Sequence, residues 1–503
     1  MQLWISHKGD SFSKAEFPNW HNITDVYVAD ASEGQLMVCV SHNSTYTNLY
    51  ISDVNSYKFS LSYAKKPFAD VTKVSGVGGI YIASQQVGSS LSLTEQISLI
   101  SYDKGAVWQR IVPPTYAING LPSQCKKNCS LHLTQMFHQL HPASKFAPIL
   151  SQKSAPGLVV ASGVLGSNLE GNPDVFVSTS AGISWKIALS GPYLYATADQ
   201  GGIIAAIHLQ RTTTKELLYS IDDGDTWQSY VFSDTDMRVY GLLTEPGENT
   251  TVFTVFGSPV SHHSWTIIQV DMKDVFDGKK CQESDYKMWS VQDEFSATKE
   301  DGCLLGRITQ YQRRDAKAKC YNGKDFVRES IESNCQCKRE DFECDYGYKK
   351  SSFSSTLCER DHNVPNRQIH QIPEHCAPGT YYKYTRGYRK VPGDSCEGGL
   401  EHGLSPLQYA CPVKKRPAFL LLTSGANISR LDLGSGRTTY LLGMTYAVTV
   451  AAVFDWEKNA LIFVDADQLV KRLVVVVVVV EVVVVVITVV VVVVVVVISV
   501  AVA

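Results

Sequence analysis

The chain has 503 residues, with 46 Lys+Arg against 49 Asp+Glu and a formal net charge of -3. That length allows two to four domains with a sizeable core. The charge balance excludes the basic surplus of a nucleic-acid binder, so no nucleic acid is predicted as a partner. The opening MQLWISHKGDSF contains no basic segment followed by an apolar run. No secretory leader is therefore recognisable, and the native N-terminus is predicted to lie upstream.

From residue 1 to about 275 the sequence reads as short alternating strands separated by Gly, Asp, Asn and Ser. Asp25-Val26-Tyr27-Val28, Gly79-Ile80-Tyr81-Ile82-Ala83 and Thr251-Val252-Phe253-Thr254-Val255-Phe256 are examples. One segment departs from the pattern: Ser130 to His141 (SLHLTQMFHQLH) predicts a short helix inside an insertion closed by Cys125 and Cys129.

Within this region the motif S-x-[DS]-x-G-x-x-W recurs. One clear copy is Ser101, Asp103, Gly105 and Trp108, a second is Ser220, Asp222, Gly224 and Trp227, and a looser one is Ser178, Ser180, Gly182 and Trp185. Degenerate copies fall at His7/Gly9/Phe12 and Asp53/Asn55/Phe59. The residue types explain the spacing. Asp or Ser bonds amides across a tight turn, Gly supplies a positive φ, and Trp folds back onto the hairpin. This is the Asp-box of β-propeller blades, and it predicts a propeller of four-stranded sheets, with unrelated hairpins in a β-sandwich as the alternative.

Only Cys39, Cys125 and Cys129 precede residue 280, whereas ten cysteines crowd into Cys281 to Cys411. That density predicts a disulfide-stapled module of an oxidising compartment. Cys335-Gln336-Cys337 is the nearest approach to a zinc motif, but no C-x-x-C pair accompanies it, and neither metal nor cofactor is expected. Sequons at Asn22, Asn43, Asn249 and Asn427 agree with a lumenal or extracellular address.

Ala418 to Leu473 returns to a strand-like pattern. Val474 to Ala503 is almost pure valine, longer than the roughly 20 apolar residues that span a bilayer. It reads either as a membrane span or as a sequence artefact, because Glu481 would be costly in lipid.

Whole segments then resemble the sortilin family of sorting receptors, including the vacuolar-protein-sorting-ten domain. They include Asn48-Leu49-Tyr50-Ile51-Ser52, Ser154-Ala155-Pro156-Gly157-Leu158, Gly201 to Ile207 (GGIIAAI) and Tyr240 to Gly247 (YGLLTEPG). In the cysteine module, Cys303-Leu304-Leu305-Gly306, Asn334-Cys335-Gln336-Cys337, Arg339 to Gly347 (REDFECDYG) and Thr385 to Lys390 (TRGYRK) carry the likeness. Residues 418 to 473 are similar to the opening of a YWTD-type propeller, with Ile462-Phe463-Val464-Asp465 at the tetrad. That favours the branch with LDL-receptor-type repeats.

The resemblance implies a mainly β chain of four parts. Residues 1–280 form the C-terminal part of a ten-bladed propeller, about 275 residues allowing five or six blades at roughly 45 to 55 each. Residues 281–412 form a ten-cysteine module beneath it, 418–473 the start of the second propeller, and 474–503 the hydrophobic tail. It also implies the pairs Cys281 with Cys320, Cys303 with Cys335, Cys337 with Cys396, Cys344 with Cys358, and Cys376 with Cys411. Cys125 with Cys129 would close a small loop, leaving Cys39 over.

The implied function is that of an endocytic and intracellular sorting receptor. It would carry peptide or propeptide ligands, and other secreted or membrane proteins, between Golgi, endosomes and cell surface. Trafficking adaptors would act on a cytoplasmic tail that this sequence does not contain. The ligand would enter the propeller tunnel and pair with a blade strand. Asp199, Gly201, Gly202 and Ile203 are the candidates, since paired glycines admit a close backbone, although a tight turn would use them equally well. No arginine is nominated as a carboxylate clamp. His262, His263, His138 and His141 are candidates for pH-dependent release by residue type alone. The alternative is an Asp-box glycosidase resembling sialidases, but no matching arginine triad is found and no catalytic residue is assigned. G-x-S-x-G, H-E-x-x-H, P-loop and dinucleotide fingerprints are likewise absent from the sequence.

Overall fold

The computed structural model describes residues 2–498 except 7–8, 10–11, 19–22, 33–34, 43–46, 54–56, 64–67, 88–92, 124, 126–127, 136–146, 210–212, 262–263, 296–301, 352–356, 374–375, 378, 412–418, 425–426, 444–448, 456–459, 466–469, 475–483 and 491–492. The chain divides into two compact units. One comprises Met1–His370 with Thr385–Pro406, the other Gln371–Tyr384 with Leu407–Ala503.

The first unit opens with a hairpin of Trp4–Ser6 and Phe12–Lys14 and continues as five successive antiparallel sheets. Blade one orders Asp25–Asp30, Met37–Ser41, Thr47–Ser52 and Phe59–Tyr63. Blade two orders Phe68–Lys73, Tyr81–Gln86, Gln96–Ser101 and Gln109–Arg110. In blade three the innermost position is shared by Ser130–Leu133 and Leu150–Ser151, both paired with Val159–Gly166, followed by Asp174–Ser178 and Lys186–Leu189. Blade four runs Tyr193–Ala198, Ile203–His208, Glu216–Ser220 and Gln228–Val231. Blade five has three strands, Met237–Thr244, Val252–Pro259 and Thr266–Asp271.

The period-two alternation decides how these sheets stack. On blade three, Val159, Ala161 and Phe176 join Ile80, Ile82 and Ile100 of blade two in one core. Their sequence neighbours Val160, Val175 and Val177 point the other way, to Tyr195, Ile204 and Ala206 of blade four. Blade four repeats the device, turning Ile203, Ala205 and Ile207 towards Phe253 and Val255 of blade five. Each central strand is thus apolar on both faces and welds two interfaces, a fully buried side chain such as Phe176 contributing roughly 1.5–3 kcal/mol.

The helix predicted from Ser130 is not formed at its start. Ser130–Leu133 is a strand paired with Gly163–Gly166. Leu131 and Leu133 enter the core shared by blades two and three. His132 faces the opposite way, its Nδ1 accepting from the Ser98 amide at 3.0 Å. Strict alternation over four residues wins over the longer helical spacing, because both faces are covered. Residues 136–141 of that segment, with His138 and His141, lie outside the described residues, as do His262, His263, Asn22 and Asn43.

The cysteine module of the first unit is built on a three-stranded sheet of Tyr286–Ser290, Arg307–Arg314 and Ser330–Asn334. Two-stranded pairs follow, Phe342–Cys344 with Tyr388–Lys390 and Tyr348–Lys350 with Cys358–Arg360. Its bridges are Cys281–Cys320, Cys303–Cys335, Cys337–Cys396 and Cys344–Cys358. Cys125–Cys129 closes a loop on the blades. Cys39 is buried and unbridged, its thiol pushed up to about 12 by burial and by Asp70.

The second unit holds the Cys376–Cys411 bridge and pairs Tyr381–Tyr384 with Leu407–Ala410. A five-stranded sheet follows the order Thr438–Gly443, Asn427–Asp432, Phe419–Ser424, Val484–Val490, Val493–Ile498. A three-stranded one joins Thr449–Asp455, Ala460–Asp465 and Val470–Val474. Among the described residues no helix is long and apolar enough to cross a membrane.

Candidate functional site

Three hairpins of blades two to four are stapled in the same way. The Gly105, Gly182 and Gly224 amides donate to Ser101, Ser178 and Ser220 Oγ, at 2.8 Å in every case. The third motif position accepts from the amide four residues on. Asp103 Oδ1 takes Val107 at 2.8 Å, Asp222 Oδ1 takes Thr226 at 2.9 Å, and Ser180 Oγ takes Ser184 at 2.8 Å. The residue before each glycine is left-handed, with φ of 54° at Lys104, 56° at Ala181 and 57° at Asp223. Such a turn matches the right-handed twist of its flanking strands.

The tryptophans that close the motif also reach beyond their own hairpins. Trp108 does lie over its glycine, since a Cβ built on Gly105 would meet its Cζ2 at 3.3 Å. Yet the half-buried Trp108 also packs on the core that Met37, Leu49 and Ile51 of blade one share with Tyr81 and Leu99 of blade two. Trp185 is buried in the core between blades two and three, its Nε1 donating to Gly182 O at 2.9 Å. Trp227, half-buried, packs on the core between blades three and four. Its Nε1 is buried with no hydrogen-bond partner among the described residues, so this indole serves by apolar packing alone. Each indole therefore reaches the preceding blade. The reason is the width of the ring, which exceeds what its own two-stranded turn can cover, so the neighbouring sheet supplies the remaining contact.

At the same end of the blades lie the turns that join first to second strand, and the cysteine module docks on both sets. A Cβ built on Gly79 would meet Leu305 at 2.9 Å, and one on Gly157 would meet the Trp289 ring at 2.5 Å. On Gly202 it would meet Asn322 Nδ2 at 3.2 Å and Asp199 Oδ2 at 2.4 Å. Three successive blades thus each seat one module side chain on a glycine.

Cations of the module then take up the turn carbonyls. Arg313 donates to Thr179 O at 2.8 Å and Arg314 to Gly202 O at 2.9 Å and to Ile221 O. Arg328 donates to Ser154 O at 2.9 Å and Gln200 O at 3.3 Å. In the reverse direction, Lys104 of the first Asp-box, its side chain fully buried, donates to Pro392 O at 2.6 Å. Beneath blade one, Arg389 bonds Ile51 O at 3.1 Å and the buried Glu343 at 2.8 Å.

Asp199, Gly201, Gly202 and Ile203 stand at the centre of this seam. Asp199 is buried in the turn and accepts from the Asn322 amide at 2.8 Å and the Gly323 amide at 3.0 Å. Burial pushes its carboxyl up to about 6, against those amides and Arg314. Gly201 faces the Ala155 Cβ, and Ile203 is buried in the core between blades four and five. The close approach that the paired glycines allow is made here within the chain: Gly202 meets Asn322 of the module, Gly201 meets Ala155 of blade three, and Asp199 accepts from the module amides. The arginines of the seam carry no motif: Arg313 and Arg314 end the strand Arg307–Arg314, whereas Arg328 and Arg389 lie outside it.

Strands with a single partner in their sheet occur elsewhere. In blades one, two and four the innermost strand pairs on one side only among the described residues. Two other sequence candidates can be placed: Asn249 is half-buried in the turn before the second strand of blade five, and Asn427 is exposed.

The family described as "Sortilin, neurotensin receptor 3" matches residues 1–242, and its C-terminal counterpart matches residues 244–411. The sortilin-related receptor of Homo sapiens is 41% identical over 500 residues, covering 94% of this chain and 22% of that receptor. The VPS10 domain-containing receptor SorCS2 of Homo sapiens is 30% identical over 82% of this chain and 36% of its own length. Sortilin of Mus musculus is 31% identical over 81% and 49%. The chain therefore spans about a fifth to a half of these receptors. Among solved structures, the GH74 enzyme of Niastella koreensis covers 88% of this chain and 62% of its own at 9% identity and a TM-score of 0.26, a likeness too slight to bear on activity.

Proposed function

This chain belongs to the sortilin family, and from that premise we propose that it is the ligand-holding part of a sorting receptor that takes peptides or propeptides as cargo. The relatives named above are receptors. The observation that carries the reading is the one-sided pairing of the innermost strands in blades one, two and four. An extended peptide laid along such an edge gains main-chain hydrogen bonds, while alternate side chains provide selection. The module is clamped to the turns of the same blades.

In the whole receptor this ligand-holding part would face the lumen or cell exterior and travel between Golgi, endosomes and cell surface, with secreted or membrane proteins as partners. Bridges and sequons at Asn249 and Asn427 fit that address. The test is biolayer interferometry with synthetic propeptides and their N-methylated copies. Saturable binding that falls at least about tenfold when alternate main-chain N–H groups are methylated supports strand addition. Binding indifferent to methylation sinks it, and steady release of sialic acid from a sialoside would establish the glycosidase alternative instead.

A further inference from the structure

Between the turns of blades three and four and the cysteine module lies a cavity lined by Arg313, Arg314, Arg328, Asn322 and Asp223. The centre of a water-sized group can occupy about 30 Å³ of it, room for one small ion or two waters and too little for a peptide side chain. All three guanidiniums donate to carbonyls, yet Arg328 Nε is buried and has no hydrogen-bond partner among the described residues. So is Oδ1 of Asn322, a residue only 2% exposed. The orientation of that amide is fixed, since its Nδ2 donates to Asp199 O at 2.7 Å.

Two residues of the lining thus carry one orphaned donor and one orphaned acceptor, each costing roughly 1–3 kcal/mol while unmet. The charge is one-sided as well. Three guanidiniums face Asp223 in the lining, with Arg313 3.5 Å from it and Asp199 behind Asn322. Burial first, and then the neighbouring charge of Arg313, lower the Arg328 pKa to about 10, against Tyr286 and Asp199.

We propose that this cavity binds a small oxyanion that keeps one proton, of the hydrogen phosphate class, accepting from Arg328 Nε and donating its own O–H to Asn322 Oδ1. Two waters could satisfy the orphaned atoms one by one, but they would leave the excess of guanidinium charge. A fully deprotonated tetrahedral anion would supply the charge and leave Asn322 unmet. A protonated oxyanion answers both demands and ties the module to the Gln200–Gly202 turn.

The test is a thermal-unfolding titration of the whole chain at pH 7 and fixed ionic strength with inorganic phosphate, sulfate or chloride, and calorimetry with phosphate. Phosphate is expected to raise Tm saturably and more than sulfate, and both more than chloride. Arg328→Lys, which keeps the charge but lacks the Nε–H, is expected to bind phosphate about 10- to 100-fold more weakly. Should that variant fail to fold, the wild-type anion order decides alone. A phosphate response no greater than that of chloride overturns the site, and equal responses to phosphate and sulfate overturn the role of Asn322.

Discussion

Asp199 shows at the scale of one residue how the seam depends on protonation. Its carboxyl accepts from two module amides, yet it titrates at about 6 because the protein removes it from water. The folded chain therefore holds this proton more tightly than the unfolded chain, whose Asp titrates at 3.8. The stability it contributes is full below pH 4 and fades as pH rises through 6. Wild-type protein is expected to lose up to ~3 kcal/mol of unfolding free energy across that window from this group. Asp199→Asn should flatten the profile, as read from urea midpoints at half-unit pH steps. Parallel profiles in the two proteins would show that Asp199 does not set the slope.

The elements divide the labour between propensity and docking. Asp-box hairpins are closed by their own side chains within five residues, so their geometry repeats wherever the spacing repeats. The indoles at their ends are the exception, because Trp108 and Trp227 complete their burial on the preceding blade. The turns from first to second strand are shaped by what lands on them. Gly157 has φ of 85° and the Trp289 ring over it, whereas Gly120, in the loop between blades two and three, has φ of 75° and nothing within 4 Å. Gly120→Ala is therefore expected to cost only backbone strain, about 1–2 kcal/mol. Gly157→Ala adds displacement of a packed indole and is expected to cost about 2–4 kcal/mol. Equal losses in the two variants, by urea unfolding, would mean that Trp289 yields freely. The blade pattern was legible because short apolar runs recur between Gly, Asp, Asn and Ser turns. Ser130–Leu133 misled because its continuation also fits a helical spacing, and only the covering sheets chose between the two.

At the scale of the molecule, the blades and the cysteine module of the first unit act as one body through their shared turns. Arg314 bridges Cys320 O at 2.7 Å within the module to Gly202 O at 2.9 Å and Ile221 O on blade four. Arg314→Ala leaves those carbonyls without their donor and is expected to cost about 3 kcal/mol or more. Hydrogen exchange should quicken at residues 199–203 and 221–224 while blade one keeps its protection. A uniform rise across all blades would argue against a local clamp. The sequence by itself determined the mainly β architecture, the repeated staple and the cysteine-rich module, because alternation, turn chemistry and cysteine density are properties of neighbouring residues. Only the tertiary structure decided which turn meets which side chain. Asn322 reaches Asp199 across 123 positions, Arg313 reaches Thr179 across 134 and Lys104 reaches Pro392 across 288. A guanidinium accepts any carbonyl equally well by type, so the choice of partner is made by the register and stacking that bring one of them within reach.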